Sequence, residues 1–488
     1  MRRHMFFAGV ALVAILVPSI IQAGWSRTYG GSANDVGNCV EQTADGGYII
    51  AGRMQGKGGW LLKTDEQGDT LWTSIPFGFM GGSAYSVQQT SDGSYILTGY
   101  MAATEDGKYH VGLVKIDSLG EEIWWHSDMD WFYDFDSTGG VGLSVYQTAD
   151  GGYILTGYRQ PLIWEDTAGV WLIKTDPEGE LEWSKTYGAE YHACGCCILQ
   201  TSDGGYIIVG YTEYTTPPSP WSLWLLKTDE NGDTMWTSGL SDWWFGRGYS
   251  VVETPDSGYI VTGYVAPDDD YKYHLIVMRT DSNGNTLWTR MEPGWSLDTL
   301  GGVGRSIQET TDGNYILTGY TSKWLDEIND LFLIKLNPEG DTLWTRIYGG
   351  ADEDLGHCVD QTADGGYIIA GATKSFGAGG YDIWLLKTDA NGDTLGVIEE
   401  PLVTQSSDWQ VLNPIGSQIT LRYSDYPQGF HASVFDAAGR KVDELHASEA
   451  SGTVTWPVTP VTHQYPGVYF IKVEFRSSSA VEKVILIN

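Results

Sequence analysis

QTADGGYIIAG, residues 42–52, decides the fold, because this stretch returns six more times along the chain. The other copies are QTSDGSYILTG (89–99), QTADGGYILTG (147–157), QTSDGGYIIVG (200–210), ETPDSGYIVTG (253–263), ETTDGNYILTG (309–319) and QTADGGYIIAG (361–371). The aspartates of successive copies lie 47, 58, 53, 53, 56 and 52 residues apart. A period of about 50 residues matches one four-stranded blade of a β-propeller.

Each unit is predicted to contain four strands. A first strand such as SVQQT (86–90) meets a second, YILTGY (95–100), through an Asp-Gly turn, which is a strong hairpin signal. A third strand resembles WLLKTD (60–65), and a turn such as ENGD (230–233) leads into a fourth strand that opens with tryptophan. No helical periodicity appears in these units.

The tryptophan of the fourth strand shows how the array closes. It is present in six units and replaced by Gly396 in the seventh, whereas GWSRTYGG (24–31) near the start of the chain resembles LWTRIYGG (343–350). The strand around Trp25 is therefore expected to complete the last blade, which removes two exposed sheet edges. We predict an all-β, seven-bladed β-propeller over residues 24–398, with these tryptophans packed between blades.

Composition and charge restrict the class of protein. The 488 residues include 63 Gly, 21 Trp and 29 Tyr but only 19% charged residues, which is typical of a folded, turn-rich β protein. The net charge of -35 would repel a polyphosphate backbone, so nucleic acid is excluded as an expected partner. We expect a monomer.

The five cysteines give no disulfide framework, because an odd number cannot pair completely within the chain. Cys39, Cys197 and Cys358 occupy a repeat position where the other units have serine, which indicates a slot for a small residue. The cluster HACGCC (192–197) suggests zinc, but neighbours such as Cys196 and Cys197 point to opposite faces of a strand. We therefore expect no metal there.

The N-terminus has the pattern of a Sec signal peptide. Arg2 and Arg3 precede an apolar run over residues 5–21, with expected cleavage after Ala23. The run is shorter than the roughly 20 residues that a spanning helix needs. Residues 1–23 are therefore predicted to be removed, which leaves a secreted mature form with no membrane span.

The turns within each hairpin are short and nearly constant, so they are expected on one rim of the propeller. The longer connections, which differ between units, then form the opposite rim, here called the variable rim. Binding residues are often placed on loops held by a rigid scaffold. These connections include residues 126–140, 211–221, 239–248, 264–274 and 320–330.

Acids and aromatics in two of these connections are the candidate ligand-binding residues. Sugars stack on exposed rings and bond to carboxylates, although the same rings would also suit packing between loops. The candidates are Asp128, Asp130, Trp131, Tyr133, Asp134, Asp136, Trp243 and Trp244. They favour a surface binding or adhesion module for a glycan or a protein.

The alternative function is a propeller glycoside hydrolase or polysaccharide lyase acting on extracellular polysaccharide. Paired acids at a suitable separation hydrolyse glycosidic bonds, so an enzyme should concentrate acids at the mouth of the central pore. A binder should spread aromatics across the rim. No catalytic residues are assigned, because no Ser-His-Asp order, zinc motif, P-loop or dinucleotide fingerprint is present.

No cofactor is expected, and calcium is the one alternative. Turns such as DANGD (389–393) place oxygen ligands at alternate positions, as calcium loops do. A hairpin turn requires Asp and Gly at the same positions without any ion. The turn interpretation is therefore preferred.

The repeats resemble a family of exported bacterial propeller proteins with TYGG, QTxDGGYI and LIKTDxxGDTLW units, over residues 24 to about 394. More distantly, TDENGDTMW (228–236) is similar to the repeat of pyrroloquinoline-quinone-type propellers. The first resemblance implies an exported propeller.

A different pattern begins after Gly396. Residues 399–410 read as a linker, and 411–488 show period-two strands with Gly and Pro turns, which predicts a small immunoglobulin-like β-sandwich. This segment resembles the type A C-terminal sorting domain of the type IX secretion system, which implies that this machinery is a partner and carries the protein across an outer membrane to the cell surface. A purely structural sandwich is the alternative. The matching residues are Asn413, Pro414, Asp436, Gly439, Arg440, Gly467, Tyr469 and Lys483.

Overall fold

The structure is a computed structural model in which the chain divides into two compact units, residues 1–400 and 401–488. In the first unit it describes residues 24–76, 81–101, 108–131, 139–159, 169–188, 192–213, 221–239, 245–266, 273–291, 301–322 and 328–394. In the second it describes 409–411, 415–416, 419–423, 430–436, 440–449, 451–456, 467–474 and 479–486. Within these ranges, no helix is long and apolar enough to cross a bilayer.

The first unit consists of antiparallel four-stranded sheets that follow one another along the chain. Strand β1 (Trp25–Tyr29) precedes the first blade. The first blade contains β2 (Asp35–Gln42), β3 (Tyr48–Met54), β4 (Gly58–Thr64) and β5 (Thr70–Ser74). The second contains β6 (Ser83–Gln89), β7 (Tyr95–Met101), β8 (His110–Ile116) and β9 (Glu122–Ser127), followed by the short helix α1 (Asp128–Trp131). The third contains β10 (Gly140–Gln147), β11 (Tyr153–Arg159), β12 (Val170–Thr175) and β13 (Leu181–Tyr187).

The remaining blades repeat this order. The fourth contains β14 (Ala193–Gln200), β15 (Tyr206–Thr212), β16 (Ser222–Thr228) and β17 (Thr234–Gly239). The fifth contains β18 (Phe245–Glu253), β19 (Tyr259–Ala266), β20 (His274–Thr280) and β21 (Thr286–Met291). The sixth contains β22 (Gly302–Glu309), β23 (Tyr315–Thr321), β24 (Leu331–Leu336) and β25 (Thr342–Tyr348). The seventh contains β26 (Asp354–Gln361), β27 (Tyr367–Thr373) and β28 (Asp382–Thr388).

The seventh sheet is completed by the start of the chain. Its strand order is β1-β28-β27-β26, and Trp25 pairs with Lys387 at one end of the β1–β28 ladder. The first strands of neighbouring blades, including β2 and β26, contact one another around the ring and therefore lie nearest its axis. The predicted closed, seven-bladed β-propeller is confirmed.

The fourth-strand tryptophan packs on the next blade at every interface between the described blades. It lies against the glycine of the turn between the third and fourth strands of that blade, a residue with φ between 76° and 90°. A Cβ on any of these glycines would come within 2.6–3.0 Å of the indole ring, so both the backbone conformation and the contact require glycine. The pairs are Trp25–Gly68, Trp72–Gly120, Trp124–Gly179, Trp183–Gly232, Trp236–Gly284, Trp288–Gly340 and Trp344–Gly392.

At six of the seven interfaces, the Gln or Glu that ends a first strand accepts a hydrogen bond from the backbone of the preceding blade. At the closing interface the Gln42 side-chain oxygen accepts a hydrogen bond from the Ala363 backbone N–H at 2.7 Å. Equivalent bonds link five further interfaces. Between the fifth and sixth blades the donor position is Pro255, which has no N–H. The Gln or Glu of the repeat therefore joins blades as well as ending a strand.

An internal ion pair recurs in all seven described blades. The third-strand lysine, or Arg279 in the fifth blade, reaches the aspartate of the first turn at 2.6–3.0 Å. Burial opposes ionisation of Asp203, but hydrogen bonds from Thr201 and Lys227 outweigh it and hold the pKa of that carboxyl below its usual value. The Asp-Gly turn and the LLKTD strand are thus tied together within each blade.

Every first strand contains a β-bulge near its middle, with one extra residue relative to the second strand. The TG glycine of the second strand lies opposite the bulge. At Gly52 a Cβ would approach the Val36 carbonyl oxygen to 2.2 Å, so a side chain there would push the two strands apart. The repeated glycine therefore allows the bulge to form.

The second unit has two sheets among its described residues, with strand orders β29-β31-β34 and β30-β36-β35-β32-β33. Both sheets contribute to one core, in which Leu421, Phe430, Trp456 and Ile471 are buried. This is the small C-terminal β domain that the sequence predicts. Its strands are β29 (Trp409–Val411), β30 (Ile415–Gly416), β31 (Ile419–Tyr423), β32 (Phe430–Asp436), β33 (Lys441–Ala447), β34 (Gly452–Trp456), β35 (Gly467–Glu474) and β36 (Ser479–Leu486).

Deletion of residues 24–31 is expected to open the propeller, because the seventh blade would lose β1 and its Trp25–Gly68 contact. We expect a large drop in melting temperature and loss of the monomer peak in size-exclusion chromatography, since two sheet edges become exposed. Arg27→Ala is the control, because it removes exposed contacts with Asp69 and the Trp25 ring and leaves β1 in place. An unchanged melting temperature with a monomeric profile for the deletion would contradict closure by β1.

Candidate ligand-binding site

The structure places three of the sequence-predicted binding residues in and around α1. Asp128 is buried and its carboxylate lies 3.1 Å from Nδ1 of His110, which is also buried. The exposed Asp130 accepts hydrogen bonds from the backbone N–H and hydroxyl of Ser127. Trp131 is only 9% exposed and donates its indole N–H to the carbonyl of Gly179, in a turn of the opposite rim. For Asp128 and Trp131 these contacts favour packing over ligand contact.

The other candidates of the variable rim lie outside the described residues. They are Tyr133, Asp134, Asp136, Trp243 and Trp244. Their role in binding stays a prediction. In the sorting segment, Asn413, Pro414 and Gly439 are also outside the described residues, whereas Asp436, Gly467, Tyr469 and Lys483 lie in strands and Arg440 directly precedes β33.

The bulge residues form a ring of side chains around the axis, here called the axial ring. Tyr85 of the second blade is close enough to Arg305 of the sixth for the arginine to affect its pKa, so these side chains face each other across the ring. None of the seven is acidic. They are Asn38, Tyr85, Leu143, Cys196, Tyr249, Arg305 and His357.

Tyrosines surround the axis closer to the variable rim. Five of the seven second strands carry tyrosine directly after the TG glycine, and this position lies next to the connection into the third strand. In the second, fourth and fifth blades that tyrosine contacts an aromatic residue that precedes the third strand. The ring centroids are 4.8 Å apart for Tyr100–Tyr109, 4.9 Å for Tyr211–Trp221 and 4.5 Å for Tyr264–Tyr273. These are the aromatic pairs of the variable rim.

The outer members of two aromatic pairs are exposed. Tyr109 and Tyr273 are each 44% exposed, which is unusual for rings that also pack against another ring. Burial raises the pKa of Tyr211 and Tyr264 above the usual tyrosine value, although nearby Arg247 opposes the shift at both. These phenols are therefore neutral at physiological pH and act as hydrogen-bond donors as well as acceptors.

Arg247 lies between two blades at this end of the axis. Its guanidinium carbon is 4.3 Å from the centroid of Tyr211 and 4.2 Å from that of Trp221, and it also bonds to Tyr249 of the axial ring. Its Nε is buried without a hydrogen-bond partner among the described residues. Arg247 thus connects an aromatic pair to the axial ring.

Arg305 also lies close to an aromatic side chain of the axial ring. Its guanidinium carbon lies 4.4 Å from the centroid of Tyr249. Burial and the neighbouring Arg305 together lower the pKa of His357 to about 4, so that imidazole is neutral at physiological pH. Burial raises the pKa of Tyr249 despite the opposing effect of Arg305 and Arg247. Two cations, Arg247 and Arg305, therefore lie close to the axial ring, in a chain whose net charge is -35.

The acids of the described first strands are engaged elsewhere. Glu41 and Asp360 lie toward the constant rim, where they accept backbone hydrogen bonds from Gln89 and Gln42 of the neighbouring blades. Burial raises the pKa of Glu41 to about 7. At the other end, the buried Asp35 accepts the backbone N–H groups of Gly31 and Gln55.

Asp354 at the start of β26 likewise holds nearby loops in place, because it accepts hydrogen bonds from the backbone N–H of Gly350 and the hydroxyl of Ser375. Among the described residues, the acids near the axis therefore hold backbone in place. Tyrosine and arginine side chains lie at the same end of the axis.

The cysteines of HACGCC separate within the strand. Cys196 is the bulge residue and shares a hydrogen bond with Cys194, whereas Cys197 occupies the inter-blade slot. A different group of possible metal ligands lies in the second unit, where His431, Glu444 and His446 are exposed and their ligand atoms lie within 4.8 Å of one another. Glu444 is already paired with Lys441.

Sequence reasoning missed the tyrosines of the second strands and the two axial arginines. The tyrosines recur after TG in YILTGY, and this regularity made them look like part of the blade core. Arg247 lies within the stretch 239–248, of which only Trp243 and Trp244 are predicted to bind. The available signal for Arg247 is an arginine at a first-strand position where the other units have small or apolar residues. Arg305 occupies the bulge position, which varies too much between units to give a signal.

Residues 413–488 match the family described as "Secretion system C-terminal sorting domain". The match covers the second unit and confirms that the chain carries a sorting domain of the type IX secretion system. Such a domain indicates secretion or display at the cell surface. No curated protein has a significantly similar sequence.

Several solved structures are similar in fold. PorZ, described as an essential surface component of the type IX secretion system of Porphyromonas gingivalis, is 10% identical with a TM-score of 0.42, covering 91% of this chain and 58% of that chain. This chain thus spans little more than half the length of that protein. The polysaccharide lyase Uly1 is 9% identical with a TM-score of 0.44, covering 72% of this chain and 90% of that chain. A Penicillium chrysogenum α-L-arabinanase is 10% identical with a TM-score of 0.42, covering 63% of this chain and 93% of that chain.

Proposed function

We propose that the propeller is a non-catalytic binding module, exported to the cell surface, which binds an extracellular glycan at the variable rim. The observation that carries this proposal is the set of aromatic pairs repeated at one position in three blades, with Tyr109 and Tyr273 exposed at its edge. Partly exposed rings on a rigid scaffold offer an apolar face at which a ligand can stack.

The chemistry of the aromatic pairs suits a sugar. A phenol ring offers an apolar face to the C–H groups of a pyranose, and its neutral hydroxyl bonds to the sugar hydroxyls. Two rings in contact, such as Tyr264 and Tyr273, hold each other in place and lose little conformational entropy when a ligand binds. The pairs occur on the second, fourth and fifth blades, so a chain of several sugar units would contact more than one pair.

The distribution of acids favours binding over hydrolysis. A glycosidase needs two carboxyl groups that flank the bond to be cleaved. Among the described residues at this end of the axis, Asp35 and Asp354 are buried and committed to backbone and hydroxyl donors. Asp382 lies beside Asp35 and accepts the backbone N–H of Ala378, and Asp330 lies beside Asp354. Phenols and guanidinium groups lie at the same end, and they orient a ligand without supplying the acid and base of hydrolysis.

Substitution of the exposed rings should weaken binding without affecting the fold. Tyr109→Ala and Tyr273→Ala are each expected to reduce affinity for the best ligand of a glycan array about 5- to 10-fold, because each removes one stacking face. The melting temperature should be nearly unchanged, since both residues lie at the surface. Affinity is measured by titration calorimetry with the mature propeller.

Leu119→Ala is the matched control, because Leu119 is 73% exposed in a turn of the opposite rim. Release of reducing sugar or of an unsaturated product by the unmodified protein would overturn the non-catalytic proposal. Binding that is equally weakened by Leu119→Ala would contradict the location of the site.

Removal of residues 413–488 is expected to leave a folded propeller in the periplasm, because the sorting domain and the propeller have separate cores. Cell fractionation and surface labelling would locate the truncated protein, and its melting temperature should match that of the propeller in the full chain. Normal surface appearance of the truncated protein would refute the role of the C-terminal unit in export.

A further inference from the structure

We infer that the glycan carries carboxylate or sulfate groups and that Arg53, Arg247 and Arg305 bind them at the variable-rim end of the axis. This inference rests on the proposed function and specifies its ligand. Arg53 follows the TG-equivalent glycine of β3, at the position where five other blades have tyrosine. The three arginines come from the first, fifth and sixth blades.

Four other arginines of the propeller have an acidic partner that these three lack. Arg27, Arg279, Arg290 and Arg346 each lie within 4.0 Å of an aspartate carboxylate. Among the described residues, no carboxylate pairs with Arg53, Arg247 or Arg305. Within the described residues, these three guanidinium groups therefore have no internal counterion, although the chain has 63 acids against 28 basic residues.

The geometry of Arg247 prepares it for an anion. The guanidinium carbon lies 4.3 Å from the Tyr211 centroid and 4.2 Å from the Trp221 centroid, so the stacked pair fixes the position of the cation. A guanidinium edge matches a carboxylate or sulfate with two parallel hydrogen bonds. The buried Nε has no hydrogen-bond partner among the described residues. Burying an N–H group without an acceptor destabilises the fold, and a ligand that accepts a hydrogen bond from this group would remove that destabilisation.

Arginines of different blades lie near the same axial side chains. Arg305 of the sixth blade and Arg247 of the fifth both lie close to Tyr249 of the axial ring, and Arg53 and Arg305 both oppose the effect of burial on the pKa of Tyr85. A linear acidic glycan that reaches the axial ring would therefore meet guanidinium groups from more than one blade.

The test measures binding of polygalacturonate, a sulfated polysaccharide, neutral dextran and polyglutamate to the mature propeller at two salt concentrations. Arg53→Gln and Arg305→Gln are each expected to weaken acidic-glycan binding at least 10-fold, and salt should weaken binding by the unmodified protein. Arg346→Gln is the matched control, because this arginine pairs with Asp393 on the outer strand. The two acidic polysaccharides distinguish carboxylate from sulfate.

The outcomes separate the two proposals. If Tyr109→Ala weakens glycan binding but neither arginine variant does, or if dextran binds as tightly as polygalacturonate, the acidic-ligand inference is wrong and the proposed function stands. If no glycan binds, the proposed function fails. Tighter binding of polyglutamate than of both acidic glycans would identify an acidic peptide as the ligand class and overturn the inference.

A separate observation concerns the closing interface, where we propose that Cys39 and Cys358 form a disulfide in the exported protein. Both thiols are free in the structure, and their Sγ atoms lie 3.8 Å apart across the first and seventh blades. A small side-chain rotation brings such atoms to the bonded distance of about 2.05 Å. The bond would join residues separated by 319 positions and fasten the two ends of the ring.

The repeat supplies an internal comparison. Cys197 occupies the same position in the fourth blade, but the neighbouring blades have Ser144 and Ser250 there, so Cys197 has no equivalent partner. Only the closing interface brings two cysteines together at this repeat position. An exported protein folds in a compartment where disulfides form and persist.

The oxidation proceeds by exchange with a disulfide oxidant, such as an envelope dithiol oxidoreductase in its oxidised form. The Cys358 thiolate, which a hydrogen bond with Cys39 favours, attacks one sulfur of the oxidant and releases the other as a thiolate. The Cys39 thiolate then attacks Cys358 and displaces the first sulfur. The two cysteines lose two protons and two electrons, and the oxidant becomes a dithiol.

Peptide mapping under non-reducing conditions, after folding with oxidised glutathione, should recover the peptides of Cys39 and Cys358 as one linked species. Reductant should lower the melting temperature of the unmodified protein, because the closed loop restricts the unfolded chain. Cys39→Ser should remove that response, and it should fold, since serine fills this slot in four blades. Cys197→Ser, the control, should retain the response. Unlinked peptides, or equal reductant sensitivity of the unmodified and Cys39→Ser proteins, would overturn the proposal.

Discussion

The contact between a tryptophan and a turn glycine of the next blade is the constraint on which the propeller depends. Each blade is a twisted sheet that cannot bury both faces alone, so its stability comes from its neighbours. The indole covers a turn whose glycine has no room for a Cβ, which fixes both the spacing and the direction of successive blades. Because Trp25 makes this contact with Gly68, the ring closes through the same interaction that builds it.

The sequence predicts this architecture well because the repeats can be compared with one another. Seven copies define the period. The seventh unit lacks its fourth-strand tryptophan at Gly396, and Trp25 near the start of the chain supplies it, which predicts the closing strand from the sequence alone. The inter-blade role of the QT segment could not be predicted, since the glutamine looks like an ordinary strand end. Only the structure shows that Gln42 reaches the backbone of Ala363 on the last blade.

The candidate site was harder to predict because binding residues and core residues share one pattern. Tyrosine after TG belongs to the repeat, yet its position beside a variable connection places it at the mouth of the axis. Trp131 breaks the repeat and looked like a surface ring, but α1 turns it back onto the carbonyl of Gly179. Departure from a repeat therefore does not by itself indicate exposure, and agreement with it does not exclude function.

The interface between the fifth and sixth blades has a mechanical consequence for the ring. Pro255 removes the hydrogen bond that six other interfaces make, and Ser257 takes a φ of 60° in the same turn, where other blades have glycine. This interface therefore has one such hydrogen bond fewer than each of the other six, and only the sixth blade separates it from the closing blade. Its remaining contacts include the Trp288–Gly340 packing and the Ser250–Ile307 hydrogen bond, so under stress we expect the blades to separate there before the N-terminal strand leaves the seventh sheet.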